Sequence, residues 1–253
     1  MKLHVRTLGE GKPLIILHGL FGSSDNWQTL GKRYAEQRKV FLVDQRNHGH
    51  SPWSDAFSYP LLVADLLELM DDEQLPQADI LGHSMGGKTA MAFAQAHPDR
   101  LEKLIVADIA PKAYPPHHQT ILAALHAVDL NIHNTRKAVE EIIQAHIDDA
   151  GTRQFLLKNL YWNDQQVLAW RINIPVLSRE MPAIIGDVGS HRVDVPALFI
   201  RGSESGYVRD SDIPAIQTQF PQAEFHTIEG AGHWLHAERP KEFFDITQDF
   251  LIR

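Results

Sequence analysis

The sequence predicts an α/β protein, in which helices flank a mostly parallel central sheet and a helical cap is inserted into the chain. Short, continuously apolar segments alternate with amphipathic segments in the first 111 residues and again after residue 193. Continuous apolar runs are typical of strands that are covered on both faces, as in parallel sheets. Between residues 112 and 192 the alternation stops, and only helical patterns remain.

The alternation of apolar and amphipathic segments predicts the order of the strands and helices. An alternating edge strand is predicted at residues 3–7, buried strands at 14–17, 40–43, 78–81 and 104–107, and further strands at 197–200 and 223–228. Core helices are predicted at 59–70, 85–97, 213–220 and 240–250, and cap helices at 119–128, 135–147 and 152–161. We therefore expect a core of residues 1–111 and 193–253, with a cap of residues 112–192. Insertions after parallel strands lie over the edge of the sheet where ligands bind, although a separate helical docking domain is the alternative.

Composition excludes several classes of protein. The 253 residues include no cysteine, which excludes disulfides and thiol nucleophiles, and 43% of them are hydrophobic, as in a soluble enzyme. The formal net charge is −8 and there is no basic stripe, so nucleic acid is not an expected partner. The N-terminus has neither a signal-peptide pattern nor a membrane span, so we expect a cytoplasmic protein. The 15 histidines are scattered without matching carboxylates, so no metal or other cofactor is expected.

The chain carries the pattern Gly-x-Ser-x-Gly at residues 82–86, between a predicted strand and a predicted helix. Such a junction needs a sharp reversal of the chain, which favours residues without a Cβ at Gly82 and Gly86. The reversal holds the Ser84 hydroxyl at a helix N-terminus, where free N–H groups and the helix dipole favour negative charge. We predict Ser84 as a nucleophile and the N–H of Met85 as an oxyanion donor. The alternative is an ordinary turn that happens to contain serine.

A serine nucleophile needs a base within hydrogen-bond reach. His233 is the candidate, because it lies in a glycine-rich loop directly after the last predicted strand. His83 is adjacent to Ser84 in the chain, and its side chain is expected to point away into the scaffold. The alternative for His233 is a loop histidine without a chemical role.

An acid is expected to orient the base and to offset its positive charge. Asp108 follows the apolar run 104–107, where a carboxylate is costly to bury unless it has a partner, and His233 would be that partner. Ser205 could add a hydrogen bond near the imidazole. In the alternative, Asp108 caps a turn and the acid is Glu204 or Asp210.

Four motifs that fall in order at predicted strand ends resemble those of the α/β-hydrolase family; they are residues 18–19, 46–51, 82–87 and 230–234. The resemblance covers nearly the whole chain outside the cap. It implies a hydrolase of carboxylic esters, with acyl thioesters such as acyl-CoA as a further substrate class. It also implies the N–H of Leu20 as the second oxyanion donor, with Phe21 as the alternative. The commonest family pattern has aspartate where this chain has Ser205, and some members carry the acid where Asp108 lies.

Three aromatic residues are predicted to line the substrate pocket, namely Phe21 of the core and Trp162 and Trp170 of the cap.

Serine at position 84 argues against epoxide hydrolases and haloalkane dehalogenases, which need aspartate there. A C–C bond hydrolase or a perhydrolase would keep the serine, and a non-catalytic ligand-binding protein could keep the whole constellation. The expected partner in the hydrolase reading is a small acyl ester or thioester.

Overall fold

A computed structural model describes all 253 residues and is built around one large sheet. Its strands are β1 (His4–Leu8), β2 (Pro13–Leu17), β3 (Lys39–Asp44), β4 (Ala78–His83), β5 (Leu101–Ala107), β8 (Ala197–Gly202) and β9 (Ala223–Ile228). They are arranged in the order β1-β3-β2-β4-β5-β8-β9. Only β1 runs antiparallel to its neighbour, so the predicted mostly parallel sheet is confirmed.

Helices cover both faces of this sheet. They are α1 (Gln28–Tyr34), α2 (Tyr59–Asp72), α3 (Met85–Ala96), α9 (Ile213–Gln219), α10 (Leu235–Glu238) and α11 (Pro240–Ile252). One face packs on α2, α3 and α9, and the other packs on α1 and α11. Strand β2 supplies both layers, because Ile15 points into one cluster and Leu14 and Ile16 into the other. Burial on both faces explains why the strands read as unbroken apolar runs.

The insertion lies between β5 and β8. Its elements are α4 (Gln119–Ala127), α5 (Arg136–Gln144), α6 (Ala150–Leu157), β6 (Leu160–Trp162), β7 (Leu168–Trp170), α7 (Ile174–Arg179) and α8 (Met181–Ile185). The three predicted helices are present, but the third ends at Leu157 instead of reaching residue 161. The insertion has its own apolar cluster, which continues into Leu20, Phe21 and Met85 of the core.

The predicted helical insertion also contains an antiparallel hairpin, formed by β6 and β7, which the sequence did not predict. Its strands have three residues each, which is too short for an alternating pattern to be visible in the sequence. A local contact closes the turn, since the Asn163 side chain accepts a hydrogen bond from the Val167 N–H at 2.9 Å. This local bond, together with cross-strand pairing, explains why the chain turns back here.

Buried hydrogen bonds hold the insertion on the core. Lys88 of α3 donates from its ammonium to the carbonyls of Lys112, Ile185 and Gly186, which lie at the two ends of the insertion. The Tyr59 hydroxyl donates to the Ile184 carbonyl at 2.7 Å. The three Lys88 bonds therefore join the helix that follows Ser84 to both connections of the insertion. No helix in the structure combines the length and the apolar character that a membrane crossing needs.

Candidate active site

Ser84 occupies the tight turn between β4 and α3. Its backbone lies at φ 53° and ψ −119°, a conformation that L residues rarely adopt. The turn is closely packed, because a Cβ on Gly82 would lie 2.2 Å from the Gly86 carbonyl oxygen. A Cβ on Gly86 would lie 2.4 Å from the Leu17 carbonyl oxygen. Only glycine fits at both positions, and the turn places the serine at the N-terminus of α3.

The imidazole of His233 lies between Ser84 and Asp108. Its Nε2 is 3.0 Å from the Ser84 Oγ, and its Nδ1 is 2.7 Å from the Asp108 Oδ2. An ionised carboxylate can only accept a hydrogen bond, so Nδ1 carries the hydrogen and the lone pair of Nε2 faces the serine hydroxyl. The structure thus brings together the three residues that the sequence suggested, from three separate strand ends.

Asp108 is fully buried at the end of β5 and has further donors besides His233. The Gly202 N–H donates to its Oδ1 at 3.3 Å, and the Ser205 hydroxyl donates to its Oδ2. The alternative acids lie elsewhere: Asp210 pairs with Arg201 at 2.6 Å, and its side chain is 87% exposed. Glu204 is exposed and makes no side-chain contact with His233. These donors satisfy the hydrogen-bonding capacity of the buried carboxylate.

Two neighbours fix the position of His233. The ring of Tyr207 stacks on its imidazole, with the centroids 3.8 Å apart and the planes at 16°. The His83 Nε2 is 2.8 Å from the His233 carbonyl oxygen, and burial lowers the pKa of His83 well below its usual value. His83 is therefore a neutral donor within the scaffold, as its place beside Ser84 suggested. The sequence did not predict this role for Tyr207, because the residue belongs to no motif. The only signal in the sequence is its position two residues after Ser205.

The backbone N–H groups of Leu20 and Met85, which were expected to bind the oxyanion, have no acceptor in the protein. The N–H of Phe21 is occupied, because it donates to the His48 Nε2 at 3.2 Å. Burial lowers the pKa of His48 to about 3, so this ring remains neutral and able to accept. The geometry thus leaves Leu20, rather than Phe21, with a free donor in the loop after β2.

The backbone of Phe21 is held from both sides. Its φ is 59°, in the left-handed region, and its carbonyl accepts a hydrogen bond from the Asn159 side chain at 2.9 Å. Asn159 belongs to the insertion and is buried. The sequence did not predict that His48 and Asn159 bind the Phe21 backbone, because both contacts join residues that are far apart in the chain. Together they fix the loop that carries Leu20.

A cleft of about 500 Å³ opens above Ser84 and His233. The core contributes Phe21, as predicted, and the insertion contributes His117, His118, Ile121, Gln154, Phe155 and Lys158. Trp162 and Trp170 do not line this cleft, which corrects the expectation that they would. The hairpin carries both away, so Trp162 is 48% exposed and Trp170 faces a separate groove beside His50 and Trp53. The cap's part of the pocket wall comes from α4, α6 and the segment before α4.

Comparison with known proteins decides the family. The model of the α/β-hydrolase fold matches residues 12–163, which is more than half of the chain. The chain belongs to the α/β-hydrolase family. This hydrolase is 40% identical to the esterase YbfF of Escherichia coli over 95% of each chain. It is also 37% identical to an sn-1-specific diacylglycerol lipase of Mus musculus, over 94% of this chain and 80% of that protein.

Solved structures agree with the family assignment. An esterase from a marine microorganism superposes with a TM-score of 0.96 at 45% identity, covering 98% of this hydrolase and 99% of that chain. The structure of E-2-(acetamidomethylene)succinate hydrolase superposes with a TM-score of 0.80 at 20% identity, over 99% of this chain and 95% of that chain. At that identity the likeness concerns the fold alone. The three relatives named here with higher identity are two esterases and a lipase.

Proposed function

We propose that this α/β-hydrolase is a serine esterase that cleaves carboxylic esters and acyl thioesters through an acyl-enzyme. The observation that carries the proposal is the continuous hydrogen-bonded chain from Ser84 through His233 to Asp108, with distances of 3.0 and 2.7 Å. A nucleophile, a base and an orienting carboxylate in that geometry are the parts that acyl transfer needs. The esterase names of several relatives point to the same reaction class.

The reaction proceeds in two halves. Ser84 attacks the acyl carbonyl while the Nε2 of His233 takes the hydroxyl proton, and Asp108 stabilises the imidazolium that forms. His233 then gives this proton to the leaving oxygen or sulfur, which departs and leaves the acyl group on Ser84. Water, deprotonated by His233, attacks the acyl-enzyme, and the acid product leaves with the serine restored.

The negative oxygen of each tetrahedral intermediate is bound by the N–H groups of Leu20 and Met85. Support comes from their lack of any other acceptor and from the position of Met85 at the N-terminus of α3. The occupied N–H of Phe21 argues against the alternative donor. Because only backbone is used here, the side chains of this loop remain available to shape the pocket.

The insertion forms a cap over this site, and we place its boundaries at residues 112–192, between core segments 1–111 and 193–253. Support comes from Lys88, which bonds to Lys112 at one connection and to Ile185 and Gly186 near the other. The cap contributes seven of the 22 residues that line the cleft, among them Ile121 and Phe155. It is the part of the molecule that selects among esters.

The test is steady-state hydrolysis of p-nitrophenyl acetate and acetyl-CoA by the native enzyme and by Ser84→Ala. Removing the nucleophile of a triad should lower kcat by roughly 10³ to 10⁶-fold. The Ser203→Ala variant is the matched control, since Ser203 lies in an exposed turn and bonds only to backbone. Undiminished turnover in Ser84→Ala would refute the nucleophile, and absence of turnover in the native enzyme would refute the esterase.

A further inference from the structure

Two cavities meet at Ser84, and they differ greatly in size. The outer one is the cleft of about 500 Å³, and the inner one has a volume of only about 20 Å³. Both are bordered by the same residues around the nucleophile, which are Leu20, Ser84, His117, His118 and Tyr207. The inner cavity continues below them, between α3 and the end of the cap. The nucleophile therefore lies at the junction of a wide space and a narrow one.

The chemistry of the proposed reaction assigns a different part of the substrate to each cavity. His233 must protonate the leaving atom, so the leaving group has to lie on the side of its imidazole. His233 and Trp234 line the outer cleft and do not line the inner cavity. The inner cavity instead contains Met85, whose N–H is a proposed oxyanion donor. The leaving group consequently occupies the outer cleft, and the acyl chain is directed into the inner cavity.

The walls of the inner cavity are mostly apolar. Besides Leu20 and Met85, its side chains include Ile109, Tyr114, Ile184 and Ile185. The volume of about 20 Å³ is far smaller than the 500 Å³ of the outer cleft, so the inner cavity has room for only a small group. A short acyl chain suits this space, whereas a long chain would meet the two isoleucines.

The isoleucine wall is held in place by hydrogen bonds through its backbone. The Ile184 carbonyl accepts from the Tyr59 hydroxyl at 2.7 Å, and the Ile185 carbonyl accepts from the Tyr114 N–H at 2.9 Å and from Lys88 at 3.2 Å. Moving the two isoleucines would break these hydrogen bonds and leave buried polar groups without partners, which is costly in free energy. The limit on chain length is thus built into the packing between the cap and α3.

Lys88 also borders the inner cavity, but its N–H donors are already occupied. Its ammonium has three N–H donors, and they meet three carbonyl acceptors, on Lys112, Ile185 and Gly186. A terminal carboxylate on the acyl group would have to displace one of these carbonyls to accept a hydrogen bond from Lys88. The mostly apolar lining therefore suits an uncharged acyl chain.

We propose that the inner cavity is the acyl site and that Ile184 and Ile185 restrict the enzyme to short acyl groups. The outer cleft, by contrast, accepts bulky leaving groups. This inference rests on the proposed esterase function, and it specifies the substrate class as short-chain acyl esters of large alcohols or thiols.

The experiment measures kcat/KM for p-nitrophenyl esters of two, three, four, six and eight acyl carbons. The leaving group is the same throughout, so only the acyl site is varied. The native enzyme should lose about tenfold or more between the propionyl and hexanoyl esters, since poor accommodation of extra methylenes has at least that effect. Ile184→Ala should raise the hexanoyl-to-acetyl ratio by about tenfold, and the milder Ile184→Val should change it in the same direction.

Ile121→Ala is the matched control, because Ile121 lines only the outer cleft. It should change all five esters by one common factor and leave the ratio as it is. A flat chain-length profile in the native enzyme would overturn the acyl-site inference while leaving the esterase proposal standing. A shift of the ratio in Ile121→Ala but not in either Ile184 variant would overturn it as well. Failure to hydrolyse any ester would instead overturn the proposed function.

Discussion

After the nucleophile itself, the proposed chemistry depends most on the carboxylate of Asp108. It is fully buried, and its position is set by a left-handed backbone with φ 51° at the end of β5. Burial would be costly for an unpartnered charge, but His233, Gly202 and Ser205 all donate to it. This environment allows Asp108 to hold the His233 Nδ1–H and to stabilise the imidazolium.

Replacing Asp108 by Asn should therefore lower kcat by about 10³ to 10⁴-fold, since an amide can impose the wrong imidazole tautomer. Ser205→Ala removes only one of the donors to this carboxylate, and we expect a smaller loss of about tenfold to a hundredfold, the range for one hydrogen bond to a charged group. Both variants are to be measured on p-nitrophenyl acetate, with Glu204→Gln and Asp210→Asn as controls. Near-normal turnover in Asp108→Asn, with a collapse in either control, would move the acid to the loop after β8.

At the scale of the elements, buried histidines lie where strands, helices and loops meet. His236 of α10 stacks on Trp27 at 4.3 Å between centroids with an interplanar angle of 7°, and its Nδ1 has no hydrogen-bond partner. Burial lowers the pKa of His236 to about 3, and it also lowers the pKa of His18 and of His83. These rings pack as neutral groups that join the sheet to its helical layer.

This packing makes the fold sensitive to acid. The pKa of His236 in the folded state, about 3, lies below the value of about 6.5 in an unfolded chain. Between these values the unfolded state binds a proton that the folded state does not bind. The stabilising effect of a neutral His236 is therefore complete above pH 6.5 and is lost as the pH falls. At pH 5 the cost is about 2 kcal/mol for one such histidine.

His236→Phe keeps the stacked ring and removes the titrating group. Between pH 7.5 and pH 5 its free energy of unfolding in urea should fall by about 2 kcal/mol less than that of the native protein. His226→Phe, at an exposed position on β9, is the control and should leave the pH dependence unchanged. An identical pH dependence in His236→Phe and in the native protein would show that His236 is not buried as a neutral ring.

For the whole molecule, the sheet could be predicted because strands buried on both faces leave continuous apolar runs in the sequence. The meeting of Ser84, His233 and Asp108 followed from the same rule, since Ser84 and Asp108 directly follow strands, His233 lies in the loop after β9, and parallel strands end at one edge. The contacts of Tyr207 and Asn159 could not be predicted, because they depend on packing between distant segments. The outward position of Trp162 and Trp170 depended on a hairpin whose three-residue strands are too short to recognise in the sequence.

The most direct test of the central claim is mass spectrometry of the protein after treatment with a serine-directed fluorophosphonate. A nucleophile activated by His233 and held at the N-terminus of α3 should take up one equivalent, located on the peptide that contains Ser84. Ser84→Ala should not be labelled, and Asp108→Asn should be labelled far more slowly than the native protein. Labelling at another residue, or equal labelling of native protein and Ser84→Ala, would contradict the account.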